Sequence, residues 1–240
     1  MTNTEEGTTA IHPVLVPQGT KHAFALYAVA LPSFLLAGVC FGWYASTDEI
    51  ALLLLGLVTF GMAFDFVSHI LGLYFGRYKS FLRFYARINY GALCFGIPFT
   101  AYAGIFVMAE VAPDSISAKL AEHYLIVLYG SVLFGCLFLF ARYREQIING
   151  AVEYVLDKKN PYTRFIFLAR RILLVLSLVI GVIVIIDGLN TAWAYWAVAF
   201  TLSFIATVPL HILHKQVPSM ASELITQVIA TGGSWVVFVA

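Results

Sequence analysis

Six stretches of the chain are apolar for about 20 residues or more, which is the length at which a helix crosses the hydrocarbon core of a bilayer. They cover residues 23–45, 49–76, 88–109, 120–141, 166–187 and 190–213. Only 11% of the 240 residues are charged, against about 25% in soluble domains. The sequence therefore predicts an all-α polytopic membrane protein, a bundle of six transmembrane helices in a lipid bilayer. A net charge of +1 gives no basic surface for nucleic acid.

The charges of the connecting segments predict the orientation. All but Lys119 of the fourteen Lys and Arg residues fall on the side of the N-terminus and of the segment after the sixth run. By the positive-inside rule this side faces the cytoplasm, in the inner or plasma membrane of the cell. Residues 1–21 lack the basic start of a signal peptide and are predicted to be a cytoplasmic tail. The bundle then covers 22–214.

The last segment, 215–240, is predicted to be an amphipathic helix that is interfacial or re-entrant. Its polar face carries Thr226, Gln227 and Thr231 but almost no charge, whereas an interfacial helix usually carries Lys or Arg there. A helix buried against the bundle, a subunit contact or a re-entrant segment that breaks at Gly232-Gly233 fits this pattern better. A seventh span is the alternative, and it would place the C-terminus outside.

Two cytoplasmic connections are predicted to be helices on the membrane surface. Residues 77–87 interleave aromatic side chains with four cations, which suits binding to anionic headgroups. These lipid-surface residues are Arg77, Lys79, Arg83 and Arg87. Residues 145–162 place Ile147, Ile148, Val152 and Val155 at helical spacing, with Asn160-Pro161 as the stop.

Within the bundle, small residues favour a central position for the third span. The fifth span is almost entirely large aliphatic residues. We therefore expect it at the periphery, facing lipid or another apolar protein surface.

Asp65 and His69 form the polar centre of the prediction, because they interrupt the second apolar run. Ionisable side chains at that depth face a bundle interior, a cavity or a partner. The spacing of four residues places both on one helix face. We expect Asp65 to contact a polar group of another span or chain. A proton or ion path through Asp65, His69 and Tyr102 is one interpretation, and a hydrogen bond that only locks the packing is the other.

These features predict a channel or transporter, or a membrane-embedded subunit of a larger complex, with copies of itself or other membrane subunits as partners. No soluble catalytic motif is found, which leaves an enzymatic activity open. The alternative is a redox or metal-binding subunit. His211 and His214 lie on one face near the cytoplasmic end of the sixth run. If they approach Asp65 and His69, the four side chains suit a transition metal, or His69 and His211 suit haem b.

A redox or metal-binding subunit makes a spectroscopic prediction. The purified protein should show a Soret band or bind stoichiometric metal, because imidazole ligands retain haem and transition metals through purification. Either signal should be lost in His69→Ala and in His211→Ala. A folded preparation that is colourless and metal-free would eliminate this alternative.

Overall fold

The computed structural model describes residues 17–148, 151–212 and 216–240. Eight α-helices and one two-stranded antiparallel sheet lie within these ranges. The helices are α1 (Pro17–Thr47), α2 (Ile50–Tyr74), α3 (Lys79–Val111), α4 (Ile116–Ala121), α5 (Tyr124–Leu137), α6 (Pro161–Leu189), α7 (Ala194–Ile212) and α8 (Gln216–Phe238). A 3₁₀ turn, Phe138–Phe140, extends α5, and the strands are β1 (Tyr143–Ile148) and β2 (Ala151–Leu156).

Four helical segments of the described chain are long and apolar enough to cross a membrane. They are Tyr27–Thr47, Ile50–Tyr74, Lys79–Val111 and Pro161–Leu189. The apolar segments Tyr124–Phe140 and Ala194–Thr207 are shorter, and Glu122 and His123 separate α4 from α5 within the fourth predicted run. The helices fit an all-α membrane bundle, whereas the count of six spans is not confirmed.

Helix α3 lies at the centre of the bundle, where it packs against α2, α5, α6 and α8. In its most apolar window 80% of the residues are buried, against 22% for α6. The predicted central and peripheral positions are therefore confirmed. Gly91 and Gly135 explain how closely α3 and α5 approach, because a Cβ added at Gly135 would lie 2.9 Å from the Gly91 carbonyl oxygen. Small residues permit such backbone contact.

Helix α8 is one unbroken helix that follows the length of the bundle, which agrees with the expected alternative of a helix buried against the bundle. Near its start Met220 packs in a cluster with Val29 of α1 and Ile70 of α2. Near its end Phe238 packs against the largest core cluster, which contains Ala51 at the other end of α2. The predicted break at Gly232-Gly233 is therefore wrong, while the interfacial or re-entrant placement of 215–240 in a membrane stays a prediction.

The two glycines of α8 do not break the helix, and one of them, Gly233, serves packing. A Cβ added at Gly233 would lie 2.5 Å from the Trp196 ring of α7, whereas Gly232 has nothing within 4 Å. The Trp196 indole N–H donates to the Ile229 carbonyl oxygen of α8 at 3.0 Å. Gly233 thus provides the space in which α7 inserts a large ring, and the helix continues past it.

The polar face of α8 points into the protein. Thr226 and Gln227 are buried at 1% exposure each, while Ile225 and Val228 are 54% and 51% exposed. The Ser222 hydroxyl donates to the Ser203 carbonyl oxygen of α7 at 2.9 Å. This inverted arrangement is expected in a membrane, where the solvent is apolar and polar side chains find their partners in the bundle.

A β-hairpin replaces the helix predicted for 145–162. Strand β1 pairs with β2 in a register that sets Tyr143 opposite Leu156 and Glu145 opposite Tyr154. Tyr143, Tyr154 and Leu156 are buried and pack with Leu82 of α3. One face of the hairpin, formed by these alternating residues, therefore covers the end of the bundle at which α3 begins.

Residues 79–87 do not form a separate surface helix, because they are the first turns of α3. Leu82 and Ala86 are buried against the hairpin, so the hairpin covers one side of this end of α3. Lys79 pairs with Glu145 of β1, with Nζ and Oε2 3.0 Å apart. The cations of this segment therefore belong to a protein surface formed by α3 and the hairpin together.

The adjacent glycines of α8 give a matched test of this packing. Gly233→Ala should lower the free energy of unfolding by about 1–3 kcal/mol, because the added methyl group meets the Trp196 ring. Gly232→Ala should leave stability unchanged or slightly raised, since that position is open and alanine favours helix. Thermal unfolding of both variants in detergent measures the difference. Equal midpoints would contradict the α7–α8 contact.

Candidate functional site

Asp65 lies in α2 and reaches across to α3. Its Oδ1 accepts a hydrogen bond from the Asn89 side-chain amide at 2.6 Å. The expectation that Asp65 contacts a polar group of another span is therefore confirmed. One turn away, the Tyr85 hydroxyl donates to the Phe64 carbonyl oxygen at 2.7 Å, and the two rings stack with centroids 5.8 Å apart. These contacts fix α3 against α2 at the depth of the carboxylate.

Asn89 has more hydrogen-bonding capacity than its neighbours use. The residue is buried at 4% exposure, and its Oδ1 has no hydrogen-bond partner among the described residues. An amide oxygen can accept two hydrogen bonds, and burying it without any costs about 1–3 kcal/mol. The Asp65–Asn89 pair is thus only half satisfied by the residues that the structure describes.

The histidine side chains of the predicted centre lie outside what the structure describes. His69 and His211 belong to α2 and α7, but their side chains are not described, and His214 is outside altogether. Helix α8 packs against both α2 and α7 and so connects them. Among the described residues no three His, Cys, Asp or Glu side chains are grouped as metal ligands. The predicted metal or haem site with Asp65, His69, His211 and His214 stays a prediction.

Tyr102 lies far from Asp65 along α3. It follows Asn89 by 13 positions, a distance of roughly 20 Å at 1.5 Å per residue. Its hydroxyl donates to the Leu120 carbonyl oxygen of α4 at 3.1 Å, and the side chain is 2% exposed. The structure gives Tyr102 a contact at the end of α3 opposite to the hairpin, and no described contact joins it to Asp65.

A second buried polar group, which the sequence reasoning missed, joins α2, α3 and α8. The Gln227 side-chain amide donates to Met62 Sδ at 3.2 Å. Thr100 of α3 places its hydroxyl 3.9 Å from the same sulfur and donates to the Gly96 carbonyl oxygen at 2.9 Å. Met62 precedes Asp65 by three positions, so on α2 the two residues share a face. The uncharged polar face of α8 is the signal that points to this group.

Two oxygens of this region have no hydrogen-bond partner among the described residues. They are Oε1 of Gln227 and Oγ1 of Thr59, and both side chains are almost completely buried. Buried polar atoms are satisfied in more than nine cases of ten, by protein or by ordered water. We define the polar row as Thr59, Met62, Asp65, Asn89, Thr100 and Gln227. The row has three oxygens, counting Asn89 Oδ1, that suit water or another donor.

The predicted lipid-surface residues are placed around the hairpin. Arg77 lies over the Tyr78 ring, with its guanidinium carbon 4.7 Å from the centroid, and Arg83 lies over the Tyr154 ring at 5.3 Å. Burial raises the pKa of the Tyr154 phenol, and the Glu145 carboxylate raises it further. Arg83 and Arg87 also line a cavity between α3 and the start of α6.

No protein-family model matches the chain, and no curated protein matches it.

The Asp65–Asn89 contact makes a stability prediction. Asn89→Leu should lower the free energy of unfolding by about 1–2 kcal/mol, because the Asp65 carboxylate loses its donor inside the bundle. Asp65→Asn should cost less than half as much, since its amide oxygen can still accept from Asn89. Unfolding in mixed micelles measures both. A larger loss in Asp65→Asn than in Asn89→Leu would show that another group holds the carboxylate.

Proposed function

We propose that the protein is a channel or transporter that moves protons along the polar row between α2, α3 and α8. The observation that carries the proposal is the group of buried oxygens without partners, Asn89 Oδ1, Gln227 Oε1 and Thr59 Oγ1. Each costs about 1–3 kcal/mol if it stays unsatisfied. Water molecules hydrogen-bonded to these atoms would remove that cost and would connect the polar groups along the bundle.

Asp65 is the group in the row that can exchange a proton. Its carboxylate is half-buried and is held by Asn89 at 2.6 Å. A carboxylate in this position accepts a proton from water on one side and releases it on the other. His69 follows by four positions on the same helix face and ionises near neutral pH, so the sequence offers it as the next acceptor toward the cytoplasm. Intramembrane Asp and His residues are the usual parts of proton relays.

The exposed apolar surface of α6 supports the proposal of a multi-pass membrane protein that is surrounded by lipid or by other subunits. Along α6 the large aliphatic side chains of Ile172, Val175, Val179 and Ile186 are each at least half exposed. Lipid tails cover such a surface, as does an apolar face of a second copy or of another membrane subunit. A membrane subunit in which Asp65 only locks the packing is the competing function, and flux measurements distinguish the two.

We further propose seven spans, formed by α1, α2, α3, α5, α6, α7 and α8. The supporting observation is that α8 contacts both ends of α2, through Met220 and Phe238. An odd number of spans puts the two termini on opposite sides. With the basic side in the cytoplasm, the N-terminus is inside and the C-terminus outside.

Proton flux in liposomes tests the function. Asp65→Asn should lower the pH-driven flux roughly tenfold or more, because it removes the only carboxylate of the row while keeping its shape. Gln227→Leu should lower the flux with stability unchanged or raised, since the buried oxygen without a partner is removed. Asp187→Asn is the matched control: its carboxylate accepts from Ser117 at 2.6 Å, outside the row. Unchanged flux in Asp65→Asn would remove Asp65 from the mechanism.

Reporter fusions test the seven-span topology. Alkaline phosphatase fused after Ala240 should be active and a fluorescent protein fused there should be dark, because both report a C-terminus outside the cytoplasm. The reverse result would support an even number of spans. Fusions in the connection between α5 and α6 provide the cytoplasmic reference, since its basic residues set the orientation.

A further inference from the structure

A cavity of about 850 Å³ opens between the start of α3, the link from α5 to β1 and the start of α6. Three arginines line it: Arg83 and Arg87 from α3, and Arg142 from the link. No Asp or Glu is among the lining residues. Three guanidinium groups around one concavity repel one another unless an anion lies between them, so the site has the charge of an anion-binding site.

The carboxylate of Glu145 in β1 is held by groups other than the three arginines. Glu145 is engaged by Lys79 at 3.0 Å and by the Tyr154 hydroxyl at 3.3 Å. The guanidinium carbon of Arg83 lies 5.3 Å from the centroid of the Tyr154 ring, and the Arg83 side chain hydrogen-bonds Tyr154. A guanidinium group has five N–H donors, so others remain for a ligand. The Nε of Arg87 is buried and has no hydrogen-bond partner among the described residues. A bound anion would supply an acceptor for it.

Helix α6 adds to the positive potential of the cavity, because it begins at the cavity wall. Asn160 lines the cavity and caps the helix, with its side-chain oxygen accepting from the Thr163 amide at 3.1 Å. Pro161 occupies the first turn. The N-terminus of a long helix carries partial positive charge that favours anions. The helix end supplements the three arginines, which carry the main attraction.

The rim of the cavity is apolar on the side of α5. Phe140 lines the cavity and is 77% exposed. Leu133 of α5, seven positions earlier in the chain, is 70% exposed. Tyr162 is also partly exposed and donates its hydroxyl to the Leu137 carbonyl oxygen at 3.1 Å. A ligand that fits both surfaces has an anionic head and an apolar body. This combination is the chemistry of a phospholipid and not that of a free inorganic anion.

We propose that this cavity binds the headgroup phosphate of an anionic phospholipid from the leaflet on the hairpin side. The phosphate oxygens accept hydrogen bonds from Arg83, Arg87 and Arg142, and the acyl chains lie along the exposed face of α5. Cationic pockets between helices on the cytoplasmic side are suited to such headgroups. The proposal does not depend on proton transport, since its residues lie outside the polar row.

Binding of phosphatidylglycerol to the full-length protein tests the proposal. The protein is purified in detergent, titrated with phosphatidylglycerol or phosphatidylcholine, and examined by native mass spectrometry. Phosphatidylglycerol should bind the more tightly. Arg83→Gln/Arg142→Gln should weaken it about 25-fold, at about fivefold for each cation. Arg83→Lys/Arg142→Lys should recover part of the affinity, because the charge returns without the planar fork.

The control variant is Arg144→Gln/Lys159→Gln, which removes the same charge from exposed positions outside the cavity. It should bind phosphatidylglycerol as the unaltered protein does, with both double variants equally helical by circular dichroism. An equal loss of affinity in the control would overturn the proposal in favour of general surface attraction. Displacement of the lipid by millimolar glycerol 3-phosphate or inorganic phosphate would also overturn it, and would assign the arginines to a soluble phosphate compound.

Discussion

The hydrocarbon of a bilayer offers no hydrogen-bond partners, so each polar group of a spanning helix depends on the rest of the bundle. Helix α8, which we propose as a span, has the arrangement that this constraint requires. It turns Thr226 and Gln227 inward and leaves Ile225 and Val228 exposed. Its hydroxyl groups bond to α7 and its amide reaches Met62 of α2. The bundle is thereby held together by polar contacts at its centre and by apolar packing around them.

Helix α3 connects the two regions to which we assign functions. Asn89 faces Asp65 of α2, while Arg87, two residues earlier, lines the basic cavity beside the hairpin. Tyr85, two residues before Arg87, bonds to the backbone of α2. Both regions are therefore carried by the same turns of one rigid helix. A displacement of α3 along its axis would alter the Asp65 contact and the shape of the cavity together.

The sequence predicts the features that depend on local chemistry, and it misses those that depend on which helix and strand faces pack against each other. Long apolar runs and loop charges are sufficient for a helical membrane bundle, a central third span and a partnered Asp65. To predict that Asn89 is that partner, one must know the register between α2 and α3, which the sequence does not give. For the hairpin, the Asn149-Gly150 pair between two alternating segments is a turn signal that outweighs the helical spacing. The basic cavity brings Arg142 to Arg87 across 55 positions, which no spacing rule predicts.

The inward polar face of α8 has a consequence for how the protein is made. In the described chain α8 is not among the helices that are apolar enough to enter a membrane by composition alone. Its partners α1, α2 and α7 precede it in the chain and are synthesised first. If α8 forms the seventh span that we propose, its retention in the bilayer is coupled to tertiary folding, because the assembled bundle supplies the partners for its polar face. A substitution that alters the groove between α1, α2 and α7 would then prevent the insertion of α8, which is the last step of biogenesis.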